Sequence, residues 1–273
     1  LHVYCDDLAI VARNLVEALK VLRRCFRAAA AGCNLWLNPP KTQIMTIFDE
    51  CNEALQDGSL PTYLTGAAIG NAILYLGAWI GPGARDKQFN KALFKFDAAV
   101  KKVLALNAGL AASIPLYNMI AHSCMAWIVA LAKPSREVYI AEERAIQLLT
   151  RGPWMKIPQS LLAATNSPLP QKVKLLANTS VAGRARVALK TSKLFPQIQQ
   201  RYHGLKMEEE STLRSPMHEW IFKDSMISGL VEACSDTRLS SIVATKDDSA
   251  FQSRAHKELV AAAGEYNMHS LFR

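Results

Sequence analysis

Residues 2–12 are His2-Val3-Tyr4-Cys5-Asp6-Asp7-Leu8-Ala9-Ile10-Val11-Ala12. The flanks of this stretch are β-prone and its acidic centre is turn-prone, so it predicts a strand–turn–strand hairpin with Asp6 and Asp7 at an exposed turn. Isolated carboxylates are costly to bury, and the pair therefore indicates either a solvated turn or a site for a divalent metal. These residues alone leave both interpretations open.

A helix is predicted next, from about Leu15 to Ala31. Asn14 can cap its first turn, with Glu17 at the third helical position, and Gly32 is expected to end it. The helix has an apolar stripe and an opposite charged face. The stripe is Leu15, Leu19, Leu22 and Phe26, and the charged face is Glu17, Lys20, Arg24 and Arg27.

Short strands and turns are predicted after this helix. Leu35-Trp36-Leu37 is expected to form one strand and residues 43–48 another, separated by a turn at Asn38-Pro39-Pro40 that cannot continue a helix. Lys41 then follows a rigid turn. Residues 73–80 are predicted to be one strand, with Gly77 marking a bulge or a close backbone approach. The order of elements predicts an α+β fold.

The order and spacing of these motifs resemble the later palm motifs of reverse transcriptases, and most of all those of non-LTR (LINE-type) retrotransposons. The resemblance covers roughly the first third of the chain, and a thinner likeness to the thumb continues to about Pro158. It is carried by four segments: Tyr4-Cys5-Asp6-Asp7; Gly32 with Leu35 and Leu37; Asn38-Pro39-Pro40-Lys41-Thr42; and Tyr75-Leu76-Gly77-Ala78-Trp79-Ile80.

The resemblance implies a role for each matching residue of the acidic motif. Asp6 would be the main metal-binding carboxylate, with Asp7 beside it, and Tyr4 would line the primer end. Cys5 stands where the family usually has a small or apolar residue that touches the nascent base pair, so it could affect fidelity without abolishing metal binding.

The later motifs receive roles in the same way. The resemblance implies that Lys41 lies near the incoming triphosphate and that Asn38 belongs to the same substrate-binding motif. Leu76 and Gly77 would form the primer grip. From the residues alone, a solvated edge-strand lysine is the ordinary explanation of Lys41, and a simple bulge also explains Gly77.

The implied reaction is template-directed nucleotidyl transfer with two Mg²⁺ ions as cofactors. Its implied partners are an RNA template, a DNA primer and deoxynucleoside triphosphates, in the nucleus and without a membrane; which proteins it binds stays open. Such chemistry needs two ions about 3.5–4 Å apart, held by oxygen ligands, and a lysine suits the leaving phosphates. The residues therefore fit the implied chemistry.

A complete palm also needs a metal-binding aspartate on an earlier strand and the fingers that hold the nucleotide. The chain begins at Leu1, inside a predicted strand, and we expect it to be the downstream part of a larger protein. Alone, it is not expected to polymerise. A truncated record, a degraded element and one exon of a longer protein all stay open.

Composition is compatible with a nucleic-acid partner. The chain has 273 residues, 50% of them hydrophobic, and a formal net charge of +9, which favours a polyanion as partner. No signal peptide is predicted at the start. The six cysteines, Cys5, Cys25, Cys33, Cys51, Cys124 and Cys234, include no CxxC pair, and we expect free thiols.

A helix with a basic face is predicted from about Asp86 to Asn107. Its apolar face is Phe89, Leu93, Phe96, Val100, Val103 and Leu104, and its opposite face carries Lys87, Lys91, Lys95, Lys101 and Lys102. In a thumb these lysines could track the template–primer backbone. A solvated helix face explains the same pattern.

The rest of the chain is predicted to be helical. Residues 114–132 are the most apolar stretch, with Pro115 near a helix start and His122 in the core or between helices. Ser135 can cap the following helix, and prolines at positions 158–170 indicate a boundary. The predicted organisation is a partial palm of antiparallel strands with a packed helix at 1–84, a helical thumb at 85–158, and a helical C-terminal region of unknown role at 159–273.

Overall fold

The computed structural model describes residues 2–4, 7–12, 14–45, 61–85, 87–150, 162–163, 171–190, 195–209, 225–236, 255 and 259. Their contacts divide the chain into two compact units, residues 1–73 and 74–273, called unit 1 and unit 2 below. Short strands and long helices occur together, which confirms the α+β class. The division into 1–84, 85–158 and 159–273 stays a prediction.

Unit 1 begins with the predicted hairpin. Strand β1 (His2–Tyr4) pairs antiparallel with β2 (Asp7–Ala9), and the register places His2 opposite Ala9 and Tyr4 opposite Asp7. Helix α1 follows at Leu15–Cys33, and the Asn14 side chain accepts the Glu17 amide N–H at 3.2 Å, as the capping prediction requires. The first flank forms the predicted strand, whereas β2 includes Asp7, which was predicted to lie in the turn, and ends at Ala9, so residues 10–12 of the β-prone stretch are not in a strand.

The end of α1 differs from the prediction. Gly32 lies inside the helix, and Asn34 is the cap, in the left-handed conformation with φ 53°. The Asn34 and Leu35 amides both donate to the Ala29 carbonyl, so the last turn closes two residues later than a glycine cap would place it. Asparagine adopts this conformation more readily than most residues.

Two further strands of unit 1 pair in parallel. Strand β3 (Gln43–Met45) lies beside β4 (Ala68–Gly70), with Ile44 opposite Ile69. The prediction named only antiparallel strands, and it also placed a strand at 35–37, where the described chain has no regular structure. A local apolar run does not form a strand without a partner to bond. The predicted strand at 43–48 is confirmed for 43–45, and 46–48 lie outside the described residues.

A second hairpin occupies residues 73–80, where one strand was predicted, and all of it except Ile73 belongs to unit 2. Strand β5 (Ile73–Tyr75) and strand β6 (Ala78–Ile80) pair, and only antiparallel strands can be joined by two residues. Leu76 and Gly77 both have positive φ, 48° and 82°. Two consecutive positive φ values reverse the chain, so Gly77 belongs to a turn and not to a bulge.

Helices form the rest of the described part of unit 2. They are α2 (Asn90–Ala105), α3 (Gly109–Leu116), α4 (His122–Val129), α5 (Arg136–Thr150), α6 (Leu176–Lys190), α7 (Phe195–Glu209) and α8 (Met226–Cys234). A π-helical segment, Tyr117–Ala121, joins α3 to α4 without interruption. None of the described helices is both long and apolar enough to cross a bilayer.

Pro115 lies in the last turn of α3 and not at a helix start, contrary to the prediction. Proline has no amide N–H and its ring crowds the preceding turn, so it disturbs regular α-helical bonding. The π segment begins two residues later. Such segments accommodate disturbed bonding inside a helix that otherwise continues.

The larger apolar core of unit 2 joins α2 to α5 and the start of α6, and a second, smaller cluster lies between α6 and α8. The predicted face of α2 lies in the larger core, with Phe96, Val100 and Val103 almost fully buried, and Tyr117 stacks edge-on against Phe96. The core extends to Leu176 at the start of α6. A Cβ atom added at Gly183 of α6 would lie 2.5 Å from Ala130 Cβ, so these two backbones approach as closely as glycine permits.

Candidate functional site

The acidic hairpin gives Asp6 and Asp7 different positions. Because Tyr4 pairs with Asp7, the connection between β1 and β2 consists of Cys5 and Asp6 alone. Asp7 is the first residue of β2. Cys5, Asp6 and the side chains of Tyr4 and Asp7 lie outside the described residues. The tight connection puts two successive carboxylate-bearing residues at one end of the hairpin.

Lys41 ends a single 3₁₀ turn, Pro39–Lys41. The Lys41 amide donates to the Asn38 carbonyl at 3.1 Å, and the Thr42 hydroxyl donates to the same carbonyl at 2.9 Å. The Ala68 amide donates to the Thr42 carbonyl at 3.0 Å and so ties the turn to β4. Lys41 and Asn38 are both exposed. The Thr42 amide also donates to the Pro39 carbonyl at 2.9 Å, so Lys41 extends from a turn that is fixed by two prolines and four hydrogen bonds.

Leu76 and Gly77 form the turn of the second hairpin, and Leu76 is exposed. A Cβ at Gly77 would meet no atom within 4 Å, so the glycine is needed for its φ and not for space. This turn belongs to unit 2, whereas the acidic hairpin and Lys41 belong to unit 1.

The lysines of α2 lie together on one exposed face. Lys87 precedes the helix, and Lys91, Lys95 and Lys102 follow at spacings of four and seven residues, which keep them on one side. The Lys87 ammonium lies 5.1 Å from the centre of the Trp79 ring, a cation–π contact. Lys101 lies at the edge of this face and pairs with Asp97 at 2.7 Å.

Phe94 was missed by the sequence prediction. Phe94 is 78% exposed, and its position at the edge of the lysine face puts an aromatic surface beside Lys91 and Lys95. The available signal was its place in the helical period, because Phe94 falls outside the apolar face that runs through Phe96 and Val100.

A buried carboxylate, Glu142, was missed as well. It is 2% exposed, and its Oε1 atom accepts the Leu176 amide N–H at 2.7 Å and the Tyr117 hydroxyl at 3.3 Å. Burial raises the pKa of Glu142 to about 7, although both hydrogen bonds act to lower it. The carboxyl joins α5, the π segment and the first amide of α6. Its signal was its place on the stripe that contains Val138, Ala145 and Leu149.

Other buried or partly buried polar groups of unit 2 also join helices. His122 Nε2 lies 2.9 Å from the Thr179 hydroxyl, which confirms the prediction of an interhelix histidine. Asn118 clamps the chain before α6, donating to the Lys172 carbonyl at 2.7 Å and accepting the Lys174 amide at 2.9 Å. The Arg184 guanidinium donates to the Gly229 carbonyl at 3.0 Å. Every one of these contacts positions a helix, so this network is structural.

The described residues contain no group of three His, Cys, Asp or Glu side chains able to hold a metal ion. The carboxylates of Asp6 and Asp7 lie outside that set. As a donor set they fit Mg²⁺, which takes oxygen ligands and leaves several positions for water or phosphate. Among the cysteines within the described chain, Cys25, Cys33, Cys124 and Cys234 are free thiols, as predicted.

No protein-family model matches the chain, and neither curated proteins nor solved structures include a significant match.

Proposed function

We propose that the chain carries the later palm motifs and the thumb of an RNA-directed DNA polymerase of the non-LTR retrotransposon type. The observation that supports this most is the register of the first hairpin, in which only Cys5 and Asp6 connect Tyr4 to Asp7. A polymerase of this kind requires such a connection, because two carboxylates must project from one hairpin end toward the primer terminus.

In this proposal Asp6 and Asp7 would hold Mg²⁺, which supplies electrostatic stabilisation of the reacting phosphates. Lys41 would place its positive charge at the triphosphate, an assignment supported by its exposure on a rigid turn. Tyr4, Cys5 and Asn38 would contact primer and nucleotide. Leu76 and Gly77 would seat the primer, and their turn is compatible with a backbone contact because the glycine leaves its surroundings open.

The test is primer extension by this chain joined to a polymerase segment that supplies fingers and the earlier aspartate. We expect extension that depends on Mg²⁺, an RNA template and a DNA primer. Asp6→Asn should reduce it at least a hundredfold because one metal ligand is weakened. Asp97→Asn, which changes an exposed ion pair on α2, is the matched control and should retain activity. Equal activity of the two variants would contradict the proposal.

A second candidate function, a non-catalytic nucleic-acid-binding remnant, is favoured by the exposed lysine face of α2 and by Phe94 beside it. Duplex binding by the chain itself separates this function from that of a basic helical interaction protein with no nucleic-acid role. The double variant Lys91→Glu, Lys95→Glu should weaken duplex binding and lower the salt slope by about 2, roughly one unit for each lost phosphate contact.

The matched control is Arg136→Glu, Arg144→Glu, which makes the same change in net charge on the exposed surface of α5. If the two double variants weaken binding equally, net charge and not the α2 face explains the affinity. If neither changes binding, the lysine face is a solvated surface only.

A further inference from the structure

Unit 1 contains an open groove of about 370 Å³ that the palm motifs do not account for. It lies between α1, the chain just after it, and the short 3₁₀ turn Thr62–Leu64. Its lining includes three aromatic rings and two arginines: Phe26, Trp36, Tyr63, Arg23 and Arg27. We call it the α1 groove.

Trp36 is displayed in this groove and not buried. Trp36 is 76% exposed, yet its indole is held in place, because Nε1–H donates to Asn34 Oδ1 at 2.9 Å. Asn34 is itself fixed as the left-handed cap of α1. An apolar ring that is oriented by a hydrogen bond and left open to solvent is suited to receive another flat ring.

Arg23 and Arg27 give the groove its charge. They are one helical turn apart on α1, both are exposed, and neither forms an ion pair with any described residue. Glu17 is the sole acidic residue of α1, which also carries Lys20 and Arg24. Two guanidinium groups on one side of a groove can bind phosphate oxygens in bidentate geometry.

Tyr63 makes the wall opposite α1 rigid. Its hydroxyl donates to the Leu19 carbonyl at 2.6 Å, which fixes the ring against the helix. The aromatic rings of Trp36 and Tyr63 are therefore held by the fold before any ligand arrives. Pre-ordered groups lose less conformational entropy on binding.

The ligand that combines an accessible aromatic face with closely spaced phosphates is single-stranded nucleic acid. In a duplex the bases are paired and stacked on one another, so a duplex could use the arginines and not Trp36. We propose that the α1 groove binds single-stranded nucleic acid, with a base stacked on Trp36 and the adjacent phosphates on Arg23 and Arg27. This site does not depend on the proposed polymerase activity, nor on the lysine face of α2.

The first test is the affinity of the whole chain for a fluorescently labelled 12-nucleotide single strand of RNA or DNA. Trp36→Ala should weaken binding about tenfold, the loss typical of one stacked base. Trp36→Tyr should keep most of the affinity because it keeps an aromatic face. Trp127→Ala, which removes another exposed tryptophan from α4, is the matched control and should bind as the unchanged protein does.

The second test separates the groove from general charge attraction. Arg23→Glu or Arg27→Glu should weaken binding severalfold more than Arg24→Glu, which makes the same charge change on the same helix outside the groove. The affinity of the protein for a duplex of the same length should not change in Trp36→Ala. Circular dichroism and thermal unfolding of each variant check that the fold is retained, as expected for exposed positions.

Equal effects of Trp36→Ala and Trp127→Ala would overturn the proposal, as would equal effects of the glutamate substitutions at positions 23 and 24. The proposal would also be overturned if Trp36→Ala abolished binding of an acidic peptide and did not change binding of the single strand. The groove would then be a protein-docking surface. Failure of these tests leaves primer extension by the extended chain untouched, so the two proposals can fail separately.

Discussion

The two units of this protein differ in how much apolar surface they bury. Among the described residues of unit 1, the buried apolar side chains are Leu19 and Leu64, while Val11, Leu35 and Trp36 are largely exposed. Unit 2 has a continuous core that runs from strand β6 to the start of α6. Within the described residues, unit 1 is held mainly by caps and turn hydrogen bonds, whereas unit 2 is held by packing.

This difference bears on function. Lys41, the acidic hairpin and the α1 groove all belong to unit 1. Elements that bind ligands are often drawn from the less stable parts of a protein, and a small core gives low local stability. The buried polar groups of unit 2 are instead used to fix helices. We therefore expect perturbations of unit 2 to cost far more stability than equivalent perturbations of unit 1.

The largest effect is expected at Glu142. Replacing it with alanine removes the acceptor for the Leu176 amide and the Tyr117 hydroxyl and leaves a cavity, which together should lower the free energy of unfolding by about 3 kcal/mol. Glu143→Ala, at the neighbouring exposed position, should change it by less than about 0.5 kcal/mol. Denaturant unfolding measures both, and a small effect of Glu142→Ala would mean that the core of unit 2 does not depend on this contact.

The pH dependence of stability should report the titration of the same carboxyl group. Burial raises the pKa of Glu142 from its usual value of 4.5 to about 7, so between these pH values the folded protein binds more protons than the unfolded chain. Stability is therefore lost as the pH rises from about 4.5 to 7, by at most about 1.4 kcal/mol per pH unit from this group.

The variant Glu142→Gln isolates this contribution because glutamine keeps an acceptor and does not titrate. We expect the difference in unfolding free energy between the original protein and Glu142→Gln to change across pH 4.5–7 and to level off outside it. A difference that is constant with pH would show that the carboxyl titrates as an exposed one does.

The smallest effect on stability is expected at two asparagines in the left-handed conformation. They are Asn34 at the end of α1 and Asn107 after α2. Alanine at either position should cost about 1 kcal/mol, because it tolerates positive φ poorly. In unit 2, Asn107→Ala should lower the denaturant midpoint. In unit 1, Asn34→Ala should speed hydrogen exchange in α1 about fivefold and leave exchange in α2 unchanged.

Glycine at each of the two positions is the control, since it accepts positive φ and should restore the original behaviour. If Asn34→Ala speeds hydrogen exchange in α2 as much as Asn107→Ala does, the two units do not differ in local stability as the sizes of their cores indicate.

The sequence predicted the elements that local chemistry determines. The first hairpin, the Asn14 cap and the buried face of α2 are all present where composition and periodicity place them. These features depend on residues within about one or two turns of each other. Their partners are close in the chain, so a pattern is sufficient to find them.

The features that were missed depend on distant partners or on unusual turn residues. A strand at 35–37 was predicted from composition, but it has no bonding partner there. The turn at Leu76–Gly77 lacks the asparagine or aspartate that usually marks such a hairpin. Glu142 contacts the Leu176 amide 34 residues away, which no local pattern reveals. From the sequence, Trp36 was predicted to lie in a strand, and only the structure shows that it is exposed to solvent.

The π segment has a consequence for how the protein tolerates changes of length. Residues Asn118 and His122 lie on either side of its centre, and each bonds the chain around α6. A π turn holds one residue more than an α-helical turn, so deleting one residue between them would restore a regular helix and leave the downstream helix in nearly the same rotational phase. His122 would then still face Thr179. The wide turn therefore absorbs an extra residue without rotating the two halves of the helix against each other, and we expect the contacts to α6 to tolerate a deletion here better than one inside a regular α-helix.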